Sequence, residues 1–348
     1  MTTTTWLGSR PVPVEPVRAA RRGPVRRARL VVGGLAVLLL GVLAARVLLG
    51  DFTITVADFV RILRGEDVPG ASFILMESKL PRAVLGALVG VAFGVGGAIF
   101  QTTLRNPLAS PDILGVGLGA STAAVLAIVT FDSTGTAVSV SAVVGAVAVA
   151  VLVRLVAGSG AGHRLVLVGV GTAAALMSVI QYLFTRADVW DAQLVLRWLT
   201  GSVSAADWPT IRALLAFLLL LVPLTAWSAR SLRIVELGDD AAAGLGVGRR
   251  RADALLLLAV VLVAVAVAAA GPIAFVSFLA GPIARALNAG RTTVVGAGLV
   301  GAIVVVGGDY VADYLLVDVN FPVGVVTGAL GAPFLLWLLV RGRPGRST

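Results

Sequence analysis

The stretch Leu104–Ser121, LRNPLASPDILGVGLGAS, holds an arginine, an Asn-Pro, a Ser-Pro-Asp and three alternating glycines between two apolar flanks. Such a segment fits a phosphate-cradling loop, a turn between membrane helices, or part of a transport pathway. The choice rests on what surrounds it. Of 348 residues, 58% are hydrophobic and 13% charged, and the mean hydropathy is +0.99. Soluble domains carry about 25% charged residues, so lipid must solvate most of this chain. Apolar runs of the ~20 residues needed to cross a bilayer as a helix recur throughout, and the alternation of a barrel strand is absent. The expected class is all-α, a polytopic membrane protein.

Charged and Gly/Pro breaks divide the chain into ten expected spans, near 30–49, 83–103, 112–130, 137–157, 164–184, 211–229, 252–270, 272–288, 293–314 and 322–340. The eighth is short and opens on Gly271-Pro272, which marks it as a broken or half-length helix. Residues 1–29, with seven arginines, read as a disordered tail on the cytoplasmic leaflet, and 30–348 as one membrane domain. With the N-terminus inside, 20 basic and six acidic residues face the cytoplasm, against seven basic and twelve acidic outside, with Arg46 in the first span. That asymmetry supports ten spans with both termini cytoplasmic. It also accounts for the net charge of +10 without nucleic acid. Outside, 51–82 and 185–212 are long enough for surface helices, and Trp190, Trp198 and Trp208 suit an interfacial belt.

The glycines do not make a nucleotide site. Lys79 is the only lysine and stands in Met76-Glu77-Ser78-Lys79, so no Walker A motif exists and this chain does not hydrolyse ATP in the usual way. Gly296-x-Gly298-x-x-Gly301 follows no strand; like Gly86, Gly90 and Gly94, and Gly324 with Gly328, it reads as a helix-packing stripe. With no cysteine and only His163, no metal site or hydrolytic constellation emerges and no cofactor is expected. Asp309 and Asp313 fit an ion path or, preferred here, a helix end at the interface. In 229–251, the segment Glu236-Leu-Gly-Asp-Asp-Ala-Ala-Ala-Gly-Leu-Gly246 reads as a short cytoplasmic helix. Its acids favour the helix start, and Leu237 and Leu245 can share an apolar face for a soluble partner.

Several ordered motifs then resemble one family. They are Leu80-Pro81-Arg82; Gln101 with Arg105-Asn106-Pro107-Leu108-Ala109 and Pro111; Leu114-Gly115 through Gly119-Ala120; Trp198 with Gly201-Ser202; Leu237-Gly238, Ala242 and Leu245-Gly246; Gly271-Pro272-Ile273-Ala274-Phe275-Val276; and Pro322-Val323-Gly324 through Gly331-Ala332-Pro333. In this order they are similar to the FecCD-type permeases of bacterial ABC importers for iron–siderophore, haem and cobalamin, over about 30–340. The resemblance implies the type II importer permease fold in the cytoplasmic membrane, in a permease dimer around a central pathway. Its implied partners are two ATPase subunits and a periplasmic or lipoprotein binding protein.

It assigns Glu236, Gly238, Asp239, Ala242, Leu245 and Gly246 to the ATPase-coupling helix. Lys79 and Arg82 would meet acids of the binding protein, and Val168–Leu183 and Gly324–Leu336 would line the pathway. Arg285 follows Gly281-Pro282 where the family usually has Pro-His, and Asp313 stands where it usually has arginine. These departures imply the divergent half of a heterodimer. Ferric siderophore is the expected substrate, with haem or cobalamin as the alternative; an ion-coupled secondary transporter using Asp309 and Asp313 is the rival class. In the opening stretch, Pro107 and Pro111 then stop one span and start the next, Asn106 satisfies freed backbone groups, and the glycines pack the third span.

Overall fold

The computed structural model describes residues 14–158, 162–316 and 320–341. Every regular element among them is helical. In order they are α1 (Val14–Leu48), α2 (Val56–Leu63), α3 (Ala71–Phe73), a π-helical turn (Ile74–Lys79), α4 (Leu80–Thr103), a 3-10 turn (Pro111–Leu114), α5 (Val116–Phe131), α6 (Thr136–Ala157), α7 (Gly162–Phe184), α8 (Val189–Thr200), α9 (Trp208–Val235), α10 (Asp239–Gly244), α11 (Arg249–Ala270), α12 (Val276–Leu287), α13 (Val294–Tyr314) and α14 (Val323–Arg341). Seven helical stretches are long and apolar enough to cross a membrane, and three shorter apolar helices begin at Val116, Val276 and Val323. Together they match the ten expected positions.

α4 is the axis of the bundle, packed against α13, α11, α12 and α9. Its glycines set that role. A methyl group built on Gly90 would lie 2.5 Å from the Ala302 Cα and the Gly301 carbonyl, and one on Gly94 would strike the Ala297 carbonyl. The reciprocal position, Gly301, abuts the Gly90 backbone. Just beyond, Gly96 faces Val263 and Ala259 of α11, and Gly97 touches the backbone of Ser277 in α12. Without a hydrophobic drive between helices in lipid, such close approach is what makes membrane helices adhere. The stripes at 86–94 and 296–301 are therefore packing faces. Gly119 and Gly145 join α5 to α6 in the same way. By contrast, α1, α7 and α9 carry outward Leu38, Leu40, Leu167, Val170, Leu219 and Leu220, surface for lipid or another membrane subunit.

Two expectations change. The residues before the first span are not a disordered tail up to 29: α1 begins at Val14 and passes through Pro24. Arginine and alanine favour helix, extending an existing helix needs no new nucleus, and Arg27 anchors the extension by donating to the Leu287 carbonyl at 3.0 Å. Residues 1–13 lie outside the described set. The polar break at 229–251 also shrinks, because α9 continues to Val235 and α11 begins at Arg249. The eighth span is half-length as expected: an irregular crossover at 271–275 leads into the 12 residues of α12. Trp190 is exposed, but Trp208 donates to the Met76 carbonyl at 2.9 Å and Trp198 packs on the core.

Gly90→Ala should destabilise the protein by about 1–3 kcal/mol through overpacking. Gly86→Ala, whose methyl would sit 3.4 Å from Val306, should change little. Thermal unfolding in detergent separates the two.

Candidate functional site

The candidate residues collect at three levels along α4. At its C-terminal end, Arg105 reaches the short helix α10, with Arg105 Nη2 to Asp239 Oδ1 at 2.8 Å and Nη1 beside Gly238. Arg105 holds a left-handed backbone, φ 51°, and Asn106 Oδ1 accepts from the Leu108 amide at 2.9 Å. That side-chain bond supports the turn before Pro107 as expected. Gly238, at φ 104°, starts α10, and Gly246, at φ 79°, turns the chain towards α11. Ala242 faces inward, whereas Glu236, Leu237, Asp239 and Leu245 stand in the open. The result is a six-residue helix with two outward leucines at its flanks and carboxylates in its first turn.

One level deeper, α4 grips the half-helix. Gln101 is buried; its Nε2 donates to the Phe278 carbonyl at 3.0 Å and its Oε1 accepts from Arg285 Nη2 at 2.8 Å. A side chain at Gly281 would collide with that amide. Gln101, Gly281 and Arg285 thus form one contact, although 180 positions separate the helices that carry them. Beside it, Asp112 Oδ2 accepts from Ser277 Oγ at 2.6 Å and Ser110 Oγ at 2.9 Å. The sequence reading names Pro111 and Gly115 but not this cluster, because nothing local to Ser277 indicates a carboxylate opposite.

The crossover before α12 forms a second junction. The Gly201 carbonyl accepts from the Gly324 amide at 3.1 Å, and Ser202 donates its amide to Ala270 at 2.8 Å. Side chains at Gly201, Gly271 or Gly324 would meet backbone atoms of Pro272, Trp198 or Thr200. Three motifs distant in sequence, at 201–202, 271–272 and 322–324, therefore meet at one point. Inside a bilayer an irregular segment needs such internal partners.

At the N-terminal end of α4, Lys79, Arg82, Asp309 and Asp313 do not present a surface. Arg46 Nε binds Asp309 Oδ2 at 2.7 Å and its Nη2 binds Asp313 at 3.1 Å. Arg82 binds the same two acids at 2.8 and 3.1 Å, and Arg46 Nη1 donates to the Tyr314 hydroxyl at 3.1 Å. Lys79 Nζ donates to the Leu49 and Phe52 carbonyls at 2.7 and 2.5 Å. Two acids and two arginines therefore neutralise one another across α1, α4 and α13. Asp309 and Asp313 stand near the end of α13, but inside a buried network rather than at an exposed interface, and the expected docking cations are turned inward. Arg46 is the member that span counting leaves unexplained; an arginine inside an apolar run signals a distant acid. Among the described residues no three His, Asp or Glu side chains come together to hold a metal. Asp309→Asn leaves Asp313 as the one acid facing both Arg46 and Arg82 and should cost about 3–5 kcal/mol, whereas Arg105→Ala, at an exposed pair, should cost less than about 1 kcal/mol. Denaturation in detergent measures both.

The model of the FecCD transport family matches residues 37–341. The achromobactin transport system permease protein of Dickeya dadantii (strain 3937) is 38% identical over 315 residues, covering 88% of this chain and 90% of that protein. The ferric enterobactin transport system permease protein of Escherichia coli (strain K12) is 35% identical, covering 84% and 90%. The Fe(3+) dicitrate permease protein of the same organism is 37% identical, covering 78% and 86%. Among solved structures, an ABC transporter described as of the metal-chelate type, in an inward-facing conformation, aligns with a TM-score of 0.79 at 23% identity, covering 90% of this chain and 99% of that one. Helix order, the broken α12 and these matches lead to one conclusion: the chain belongs to the FecCD transport family.

Proposed function

We propose that this chain is the membrane permease subunit of an ABC importer that carries ferric siderophores across the cytoplasmic membrane, with ATP hydrolysed by separate subunits. The observation that carries the reading is α10. It is a short helix held by the Arg105–Asp239 pair, with Leu237 and Leu245 exposed beside the carboxylates of its first turn, in a protein whose relatives are iron-chelate permeases over most of their length. A groove on the ATPase lined by apolar and basic groups suits that face. The two exposed helices α7 and α14, including Val168–Leu183 and Gly324–Leu336, line the pathway against a second permease subunit. Arg-rich ends then face the cytoplasm, as the positive-inside rule requires, and the binding protein sits on the opposite face. Lys79 and Arg82 serve that docking indirectly, by holding together the end of the bundle on which the partner rests.

A heterodimer follows from Asp313. Its charge is spent on Arg46 and Arg82, so this subunit contributes no arginine from that position, and its partner would supply one. The same pairing weighs against an ion-coupled transporter, since both acids of the supposed ion path are neutralised internally. No covalent step falls to this chain; ATP-driven closure of the partner moves α10, and the pathway alternates by population shift.

The test is reconstitution with ATPase, binding protein and companion permease in proteoliposomes. ATP should drive uptake of a ferric siderophore, and uptake should persist after the ion gradients are collapsed. Leu245→Arg should lower uptake at least about tenfold while ATP hydrolysis continues, the loss of roughly one buried interface anchor. Normal uptake in that variant refutes the coupling role, and preference for haem or cobalamin reassigns the substrate.

A further inference from the structure

The cluster Ser110–Asp112–Ser277 is used by none of the roles above. It lies where two interrupted segments meet inside the bundle. One is the connection from α4 to α5, which turns back in through Ser110 and the 3-10 turn. The other is the start of α12. Gly115 lies 3.7 Å, measured from a built Cβ, from the Ala173 amide in the middle of α7, and Gly117 lies 3.6 Å from both Asp112 Oδ1 and the Pro272 ring. The 3-10 turn that carries Asp112 packs on α7 and α5, and Asp112 itself is only part-buried.

Its setting is specific. α12 begins after Phe275, held at φ 64°, and no side chain of its own caps its first turn. A carboxylate there complements the positive end of the helix, and Asp112 is tied to that turn through the hydroxyl of Ser277 at 2.6 Å. Both hydroxyls act on one oxygen, and Ser110 and Ser277 also touch each other at 3.1 Å. The same connection is fastened at its outer end to α10, by Arg105 on Asp239. A short chain of polar contacts therefore runs from α10, through residues 105–112, into α12. From there the crossover packs on α14, where Gly331 leaves just enough room for the Phe275 ring.

We infer that Asp112, through Ser277, is the positioning residue that transmits displacement of α10 to the half-helix α12 and hence to the pathway helix α14. The inference rests on the importer reading above. Its elements are discrete: a helix with its own end charge, one charge-assisted hydrogen bond, and a loop pinned at both ends. A displaced loop that keeps this bond carries the first turn of α12 with it, and a loop that loses it slides past.

The experiment uses the complete complex in proteoliposomes, with Ser277→Ala and Asp112→Ala, alone and combined, and Ser277→Thr as the conservative variant. Uptake should fall about tenfold in either single variant, the scale of one hydrogen bond to a charged group, while ATP hydrolysis stays within about twofold. The double variant should fall no further than the worse single, because both remove one contact, and Ser277→Thr should restore most uptake. The inference is overturned by normal uptake in the single variants, by multiplicative losses in the double, by hydrolysis falling in step with uptake, or by failure of both singles to assemble. If instead the unaltered complex shows no ATP-driven uptake, the importer reading itself falls.

Discussion

Backbone contact along α4 sets what the rest of the molecule can do. At Gly90, Gly94 and Gly97 the helix touches the main chains of α13 and α12 directly, and no side chain larger than hydrogen fits between them. In lipid this closeness replaces the hydrophobic effect as the source of adhesion. It also fixes the depth and rotation of the half-helix, since Gly97 and Gln101 lie one turn apart on the face that holds α12. The crossover at 271–275 can stay irregular because Gly201 packs against the Pro272 backbone and the Ala270 carbonyl just before it accepts from the Ser202 amide.

The polar groups follow the same logic at higher stakes. Arg46, Arg82, Asp309 and Asp313 lose most of their water, and each is tolerable only because the other three are present. The pairing is shared: each arginine meets both acids. Such a square holds three helices in register more tightly than two separate pairs would. At the opposite end, Arg105 and Asp239 remain in solvent, where the pair contributes little stability and is free to rearrange. Rigidity is concentrated at one face of the bundle and compliance at the other, where a moving partner is expected.

Much of this was legible from residues alone. Helix positions follow from apolar runs punctuated by Gly and Pro, and the glycine stripes could be assigned to packing because no strand precedes them. The half-length character of the eighth span was visible in Gly271-Pro272. What escaped has a common cause. The helical start at Val14 depends on a tertiary bond from Arg27, the inward turn of Lys79 on the Leu49 and Phe52 carbonyls, that of Arg82 on Asp309, 227 positions away, and the role of Asp112 on Ser277. Charge counting assigns a side to each residue but not a partner, so exposed and neutralised cations look alike in sequence. The departure at Asp313 was visible, but its compensation by Arg46 required the fold.

Arg46 and Asp309 are 263 residues apart in the chain, and this has a consequence for biogenesis. A ribosome adding roughly 5–20 residues per second makes the first helix tens of seconds before the acids that neutralise it. Throughout that interval the first span holds an unpaired guanidinium, which disfavours full insertion by about 2.5–3.5 kcal/mol were it at mid-bilayer. Its place in the last turn of α1 lets the side chain reach up to the headgroups meanwhile. α1 therefore reaches its final depth late, drawn in when α13 arrives to complete the network.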